Sequence, residues 1–180
     1  MNEFDIFCSN LLEESKRFLE KSKNEKNEDG KKAYQHSCLL LSICSLEAYI
    51  NGISEEMTLA NGFPIHFKGI LLEKEIRIDK GEFILSDTLK MSRLTERIEI
   101  LYRRYSRKKI SDSNEWWAIL KQGIDLRNKI THPKENIELT DILLEKILQS
   151  VIECLTAIYR AVYKNNFPKS NLSLTSKLNF

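Results

Sequence analysis

Glycine and proline are scarce in this sequence, with six and three residues among 180. Since β-sandwiches and barrels need many tight turns, so few turn-forming residues favour long helices over a multi-stranded sheet. A hydrophobic fraction of 42% and a charged fraction of 30% are ordinary for a globular domain. A chain of this length suits one domain with a sizeable core. We therefore predict a compact all-α domain.

Several functional signatures are also missing. The four cysteines form no Cys-x-x-Cys pair, and three of them lie among apolar residues, so we expect buried, reduced thiols. His36 and His66 have no companions at metal-ligand spacing, so we expect no metal and no other cofactor. A net charge of +2 gives no overall nucleic-acid signature. An RNA-binding protein of this composition would have to concentrate its basic residues locally.

The start of the chain carries neither a basic segment nor a continuous apolar one, which argues against a signal peptide. We also find no apolar run that approaches the roughly 18 to 20 residues of a membrane span. These observations predict a cytoplasmic location and no membrane partner.

Hydrophobic periodicity predicts about five main helices. Ser86 or Asp87 is the expected cap of the third helix, and Ser113 or Asn114 that of the fourth. A short β-hairpin is possible near residues 76–85, with Gly81 in its turn, although a loop after a short helix fits as well. We assign residues 1–165 to one domain and 166–180 to a loosely ordered polar tail. The predicted helices cover residues 4–20, 31–59, 89–105, 114–132 and 139–164.

The second predicted helix is apolar on all sides and should lie at the centre of the bundle. Between Ser37 and Ile50 its only charged residue is Glu47. A buried charge needs a partner, so we expect Glu47→Ala to destabilise the protein more than Asn51→Ala. Asn51 follows Glu47 by one turn on the same face.

The fourth predicted helix ends in Arg127-Asn128-Lys129-Ile130-Thr131-His132, directly before Pro133. This segment resembles the signature of the HEPN superfamily, an Arg followed by a polar residue and, four to six positions after the Arg, a His. The apolar stretch from Ser45 to Asn51 is similar to the second helix of many prokaryotic HEPN proteins. The resemblance covers roughly residues 1–165, and it implies a compact helical bundle.

The resemblance also implies a metal-independent endoribonuclease, with Arg127 and His132 as catalytic residues. Asn128, Glu47 and Asn51 would support them. Histidine exchanges protons near neutral pH, and arginine grips phosphoryl oxygens. Five residues rotate two side chains on a helix by about 140°, but the break at Pro133 would let His132 turn toward Arg127. The family further implies a homodimer with two motif copies at one cleft, and the interface should include the end of this helix.

As the resemblance implies, the protein would be a toxin or effector of a toxin–antitoxin or phage-defence system. An antitoxin or a nucleotidyltransferase is then a typical partner. Two alternatives stay open: a non-catalytic HEPN module for dimerisation or RNA binding, and an unrelated helical bundle. In either of them Arg127 can simply pair with Glu47, and His132 can act as a helix C-cap.

A basic segment from Arg103 to Lys109, at the end of the third predicted helix and just after it, contains five cations and no acid. Such a run can bind RNA phosphates, and a tyrosine within it can stack on bases. A solvated loop is the alternative interpretation. The candidate RNA-binding residues are Arg103, Arg104, Tyr105, Arg107, Lys108 and Lys109.

Overall fold

The computed structural model describes residues 3–110, 115–134, 136–167 and 173–180. Within these ranges the chain forms six α-helices and one two-stranded sheet, so the prediction of a mainly helical domain is confirmed. In chain order the elements are α1 (Glu3–Asn24), α2 (Glu28–Thr58), α3 (Ile65–Leu71), β1 (Lys74–Asp79), β2 (Glu82–Leu89), α4 (Leu94–Ser106), α5 (Glu115–Thr131) and α6 (Asp141–Tyr163).

Helices α1 and α2 form an antiparallel pair at the base of the bundle. Asn27 begins α2, because its side chain accepts a hydrogen bond from the Gly30 amide at 2.9 Å. Two buried serines then join the helices: Ser15 Oγ donates to the Cys38 carbonyl, and Ser45 Oγ donates to the Cys8 carbonyl. These bonds satisfy hydroxyls that burial would otherwise leave without partners.

The core surrounds α2, and the predicted central position of this helix is confirmed. Four of its aliphatic side chains, those of Leu39, Ile43, Leu46 and Ile50, are inaccessible to solvent. In length and composition α2 also resembles a membrane span, with a mean hydropathy of 1.3 over its most apolar window. However, 56% of that window is buried inside the bundle, as the core helix of a helical domain would be.

The predicted hairpin is present and is longer than expected. Strands β1 and β2 pair antiparallel, with Ile78 opposite Phe83. Lys80 and Gly81 connect them with φ values of 49° and 87°, the double positive φ of a tight hairpin turn. Because β2 extends to Leu89, the predicted caps Ser86 and Asp87 are wrong. Helix α4 begins at Leu94, without a side-chain cap.

Helices α5 and α6 pack closely, since a Cβ added at Gly123 would lie 2.7 Å from Cγ2 of Ile147. Thr140 begins α6 by accepting a hydrogen bond from the Leu143 amide. The predicted caps Ser113 and Asn114 lie outside the described residues.

The described end of the predicted polar tail, residues 173–180, contacts the bundle. Residues 173–180 lie along α1, where the Ser176 hydroxyl donates to the Glu13 carbonyl at 2.7 Å. The Ser176 amide donates to the Glu20 carboxylate, and the Phe180 ring lies 5.9 Å from that of Phe18. Polar contacts of this kind, between residues far apart in the sequence, leave no signal in the composition of the tail.

Candidate functional site

The side chain of Arg127 is directed from α5 toward α2. Its Nη2 lies 3.3 Å from Oε2 of Glu47, and the two side chains retain 18% and 31% of their accessible surface. The pair is therefore partly buried, at the edge of the bundle. Among the described residues Arg127 Nε has no hydrogen-bond partner. The structure thus joins Arg127 with the only charged residue between Ser37 and Ile50.

Asn51 does not contact Arg127 but supports a second arginine, which the sequence analysis missed. Arg97 Nη2 donates to Asn51 Oδ1 at 2.5 Å, and Arg97 Nη1 lies 3.4 Å from Oε2 of Glu73. The Arg97 side chain is only 2% exposed. Burial lowers the pKa of this guanidinium, while the charges of Glu73 and Glu47 raise it. We refer to Glu47, Asn51, Glu73, Arg97 and Arg127 as the arginine cluster.

The arginine cluster links the start of the hairpin to α5, the helix that carries Arg127. Glu73 stands between α3 and β1 with a φ of 53°, and its Oε1 accepts a hydrogen bond from the Ser92 amide. Arg97 therefore binds the base of the hairpin on one side and α2 on the other. Asn51 and Glu47 are one turn apart on α2. The contacts of Arg97 therefore lie next to the Arg127–Glu47 pair.

His132 lies on a different side of α5 from Arg127. The His132 amide donates to the Asn128 carbonyl at 2.9 Å, so the helical hydrogen-bond register continues through this residue. Thr131 Oγ1 donates to the carbonyls of Arg127 and Asn128, which satisfies the end of the helix. The backbone consequently does not make the expected turn toward Arg127. His132 and Asn128 are both exposed, and because they are four positions apart they share one face of the helix.

One chain therefore presents the motif in two parts. The guanidinium of Arg127 faces α2, and the imidazole of His132 belongs to the opposite flank of α5, about 140° around the axis. The two side chains of the motif therefore do not share one face of α5.

Arg104 of the basic segment packs against aromatic rings at the start of α3 and just before it. The guanidinium of Arg104 lies 4.2 Å from the ring centroid of Phe63, a cation–π contact. Lys164 donates to the Tyr105 carbonyl, and the Tyr105 side chain is half-buried against the core. Tyr105 therefore presents only part of its side chain to solvent. The cations of the segment that remain exposed are Arg103, Arg104, Arg107, Lys108 and Lys109.

The cysteine prediction needs one correction. Cys8, Cys38 and Cys154 are buried, as expected, but Cys44 is exposed. Cys44 precedes Glu47 by three residues on α2, and the nearby charge of Arg127 acts on its thiol. Although the residue is exposed, its thiol is partly desolvated by neighbouring atoms, and this larger effect raises the pKa of Cys44. A raised pKa lowers the fraction of the reactive thiolate.

No group of three His, Cys, Asp or Glu side chains converges as in a metal site within the part of the chain that the structure describes. Comparisons with protein-family models, with curated proteins and with solved structures give no match.

Proposed function

We propose that this chain is a metal-independent endoribonuclease of the HEPN type that acts as a homodimer. The observation that carries the proposal is the partly exposed Arg127–Glu47 pair. It lies near the C-terminal end of α5, where His132 is also exposed. Glu47 orients the guanidinium, and the exposed part of the arginine side chain remains available to an anion. An arginine held by a carboxylate is pre-organised to bind a phosphoryl group.

The reaction uses the ribose 2′-hydroxyl as nucleophile. Its oxygen attacks the adjacent phosphorus while its proton passes to a base, and the bond from phosphorus to the 5′-oxygen breaks as that oxygen takes up a proton. His132 carries out proton exchange, since an imidazole can gain or lose a proton near neutral pH. Arg127 stabilises the negative charge that accumulates on the non-bridging oxygens.

A homodimer accounts for the separation of the two groups on α5. If the ends of two α5 helices border one cleft, the Arg127 of one copy can meet a phosphate that the His132 of the other reaches. Asn128 shares the exposed face with His132 and supports the same cleft. The exposed cations of the basic segment bind the part of the RNA backbone that extends beyond the cleft.

The biological setting follows from the resemblance alone. We propose a toxin or effector of a toxin–antitoxin or phage-defence system that acts in the cytoplasm. An antitoxin or a nucleotidyltransferase would hold the activity in check.

A second candidate function is a non-catalytic module for dimerisation or RNA binding. The observation that favours it is the arginine cluster itself, because Arg127 with Glu47 and Arg97 with Glu73 already form two ion pairs. Ion pairs of this kind can fix the packing of helices without any catalytic role. Activity on RNA separates the two candidates.

We expect purified protein to cleave RNA equally well with and without EDTA, because His132 and Arg127 supply the proton transfer and the charge that a metal would otherwise provide. The measurement is gel analysis of a labelled RNA, with a magnesium-dependent nuclease in parallel to prove that the chelator is effective. Cleavage that stops in EDTA and returns with magnesium would contradict the proposed chemistry. Absence of cleavage under all conditions would favour the non-catalytic module.

A further inference from the structure

A groove runs along the surface of the bundle between α3 and the exposed side of α4. Its volume is about 480 Å³, which lies within the range of about 300–1,000 Å³ that is usual for small-molecule sites. Phe67 and Ile100 are half-buried and form its apolar part. The residues that line this groove, which we call the α3–α4 groove, are Phe67, Glu96, Glu99, Ile100, Arg103 and Arg104.

The α3–α4 groove lies on the opposite side of α4 from the arginine cluster. At 100° per residue, the lining residues of α4 fall within an arc of about 140°. Arg97 projects from the other side of the helix and donates to Asn51 of α2. The groove is therefore separated from the arginine cluster by the body of α4, and it is not part of the cleavage site proposed above.

The charges of the α3–α4 groove are separated along α4. Glu96 and Glu99 lie toward the N-terminal end, whereas Arg103 and Arg104 lie toward the C-terminal end, where the basic segment begins. Glu96 and Arg103 are seven residues apart, which corresponds to about 10 Å along the helix axis. A ligand that fits this polarity carries hydrogen-bond donors at one end and an anionic group at the other.

The charged groups of the groove do not neutralise one another. Glu99 and Arg103 are one turn apart, a spacing at which ion pairs often form. Within the ranges that the structure describes, however, the side chains of Glu96, Glu99 and Arg103 form neither an ion pair nor a hydrogen bond. Arg104 is held in place, with its guanidinium 4.2 Å from the ring centroid of Phe63. Two acceptor groups and one cation therefore remain available to a ligand.

The groups of the groove match the three parts of a nucleotide. Unpaired bases of RNA stack on aromatic rings and are read along their Watson–Crick edges, while cations bind the phosphate. An ionised carboxylate can only accept hydrogen bonds. Among the four RNA bases, guanine alone presents two adjacent donors on this edge, N1–H and the N2 amino group. The other three bases place an acceptor next to each donor, so carboxylates at the edge select guanine.

We infer that the α3–α4 groove binds a guanine nucleotide of the RNA. The base stacks on Phe67, its N1–H and N2 amino groups donate to Glu96 and Glu99, and its phosphate lies at Arg103. This inference rests on the proposed function for the statement that the nucleotide belongs to a substrate RNA. Because α4 separates the groove from the arginine cluster, the bound guanine is not the nucleotide that is cleaved. It determines which RNA is bound.

Binding without cleavage measures the preference in the native protein. Fluorescence anisotropy compares two fully 2′-O-methylated oligouridylates, one with a central guanosine and one with a central inosine. The methyl groups remove the nucleophile, so the RNA stays intact. Inosine lacks only the N2 amino group, and we expect its RNA to bind about tenfold more weakly because one hydrogen bond to a charged group is lost. Equal affinities would overturn the inference that the groove reads a guanine of the RNA.

Two double variants assign the preference to the groove. Glu96→Gln/Glu99→Gln should bind both RNAs equally well, because an amide presents a donor as well as an acceptor. Glu55→Gln/Glu82→Gln neutralises two exposed acids outside the groove and raises the net charge by the same amount. This control should keep the tenfold preference. A Glu96→Gln/Glu99→Gln protein that keeps the preference would overturn the inference.

A conservative change at Phe67 tests the stacking contact. Phe67→Leu keeps an apolar side chain but removes the ring, and it should weaken the binding of both RNAs about tenfold. Phe83→Leu makes the same change at an exposed ring of the hairpin and should bind both RNAs as the native protein does. Circular dichroism verifies the fold. A folded Phe67→Leu protein with native affinity would overturn the inference.

Free nucleotides and cleavage complete the test. A preference for 5′-GMP over 5′-IMP in calorimetry, without a preference between the two RNAs, would assign the groove to a free nucleotide and overturn its role in RNA binding. Equal affinities within both pairs would remove the guanine site altogether. Native protein that prefers the guanosine RNA but leaves unmodified RNA intact supports the guanine site and removes the ribonuclease. Protein that cleaves RNA without this preference supports the ribonuclease and overturns the guanine site.

Discussion

His132→Ala and Arg127→Ala should each lower the rate of RNA cleavage by at least about 10²–10³-fold, the usual cost of removing one group that acts on transition-state charge. His132 is exposed and Arg127 is only partly buried, so both variants should keep the helical fold. Single-turnover cleavage of a labelled RNA measures the loss. Circular dichroism and thermal melting verify that the proteins are folded.

Matched substitutions show whether the effect is specific to the motif. His66 is exposed on α3 and its ring lies against Phe67, so His66→Ala should cleave RNA at the native rate. Arg127→Lys keeps the charge but removes the planar fork, and it should recover only a small part of the activity. Full activity in His132→Ala would exclude His132 from the reaction.

Arg97→Ala should have the largest effect on stability. Arg97 is 2% exposed, and its removal leaves the Glu73 carboxylate and Asn51 without their partner. Breaking a buried ion pair in this way lowers the free energy of unfolding by roughly 3–5 kcal/mol. Urea denaturation followed by circular dichroism measures the change. Arg93→Ala, at an exposed arginine just before α4, should change the free energy by less than about 0.5 kcal/mol.

The contacts of Glu47 and Asn51 reverse the order of stability that we expect for Glu47→Ala and Asn51→Ala. The sequence predicted that Glu47 contributes more to stability than Asn51. In the structure Glu47 is partly exposed, so Glu47→Ala should cost only about 1 kcal/mol. Asn51→Ala leaves a donor of the buried Arg97 unpaired and should cost about 1–3 kcal/mol. An Arg97→Ala protein as stable as the native one would show that the arginine cluster does not hold α4 to α2.

Features encoded by local pattern were predictable from the sequence. The apolar stretch around Ile43 indicated a central helix, Pro133 indicated the end of α5, and Gly81 indicated a hairpin turn. Each depends on residues within a few positions of one another. The pairing of Glu47 with Arg127 was also anticipated, because a lone charge in an apolar helix requires a partner.

The missed features depend on contacts between distant parts of the chain. Arg97 lies between Leu94 and Leu101 on the apolar side of α4, but a long arginine at such a position usually extends to solvent. Its burial is set by Glu73, in a loop whose conformation has no sequence signal. The exposure of Cys44 was missed for a related reason. A helix that is apolar all round gives no periodicity to indicate which side the bundle leaves open.

The most direct test of the central claim uses one RNA oligonucleotide in two forms. The native protein first cleaves the unmodified RNA in EDTA, and mass spectrometry identifies the cleaved position and the new ends. The second form carries a 2′-O-methyl group at that nucleotide alone, which removes the nucleophile. We predict a 2′,3′-cyclic phosphate (or its hydrolysed monophosphate) and a 5′-hydroxyl from the first form, and no cleavage at that position in the second. A 5′-phosphate product, or equal cleavage of the methylated RNA, would contradict the claim.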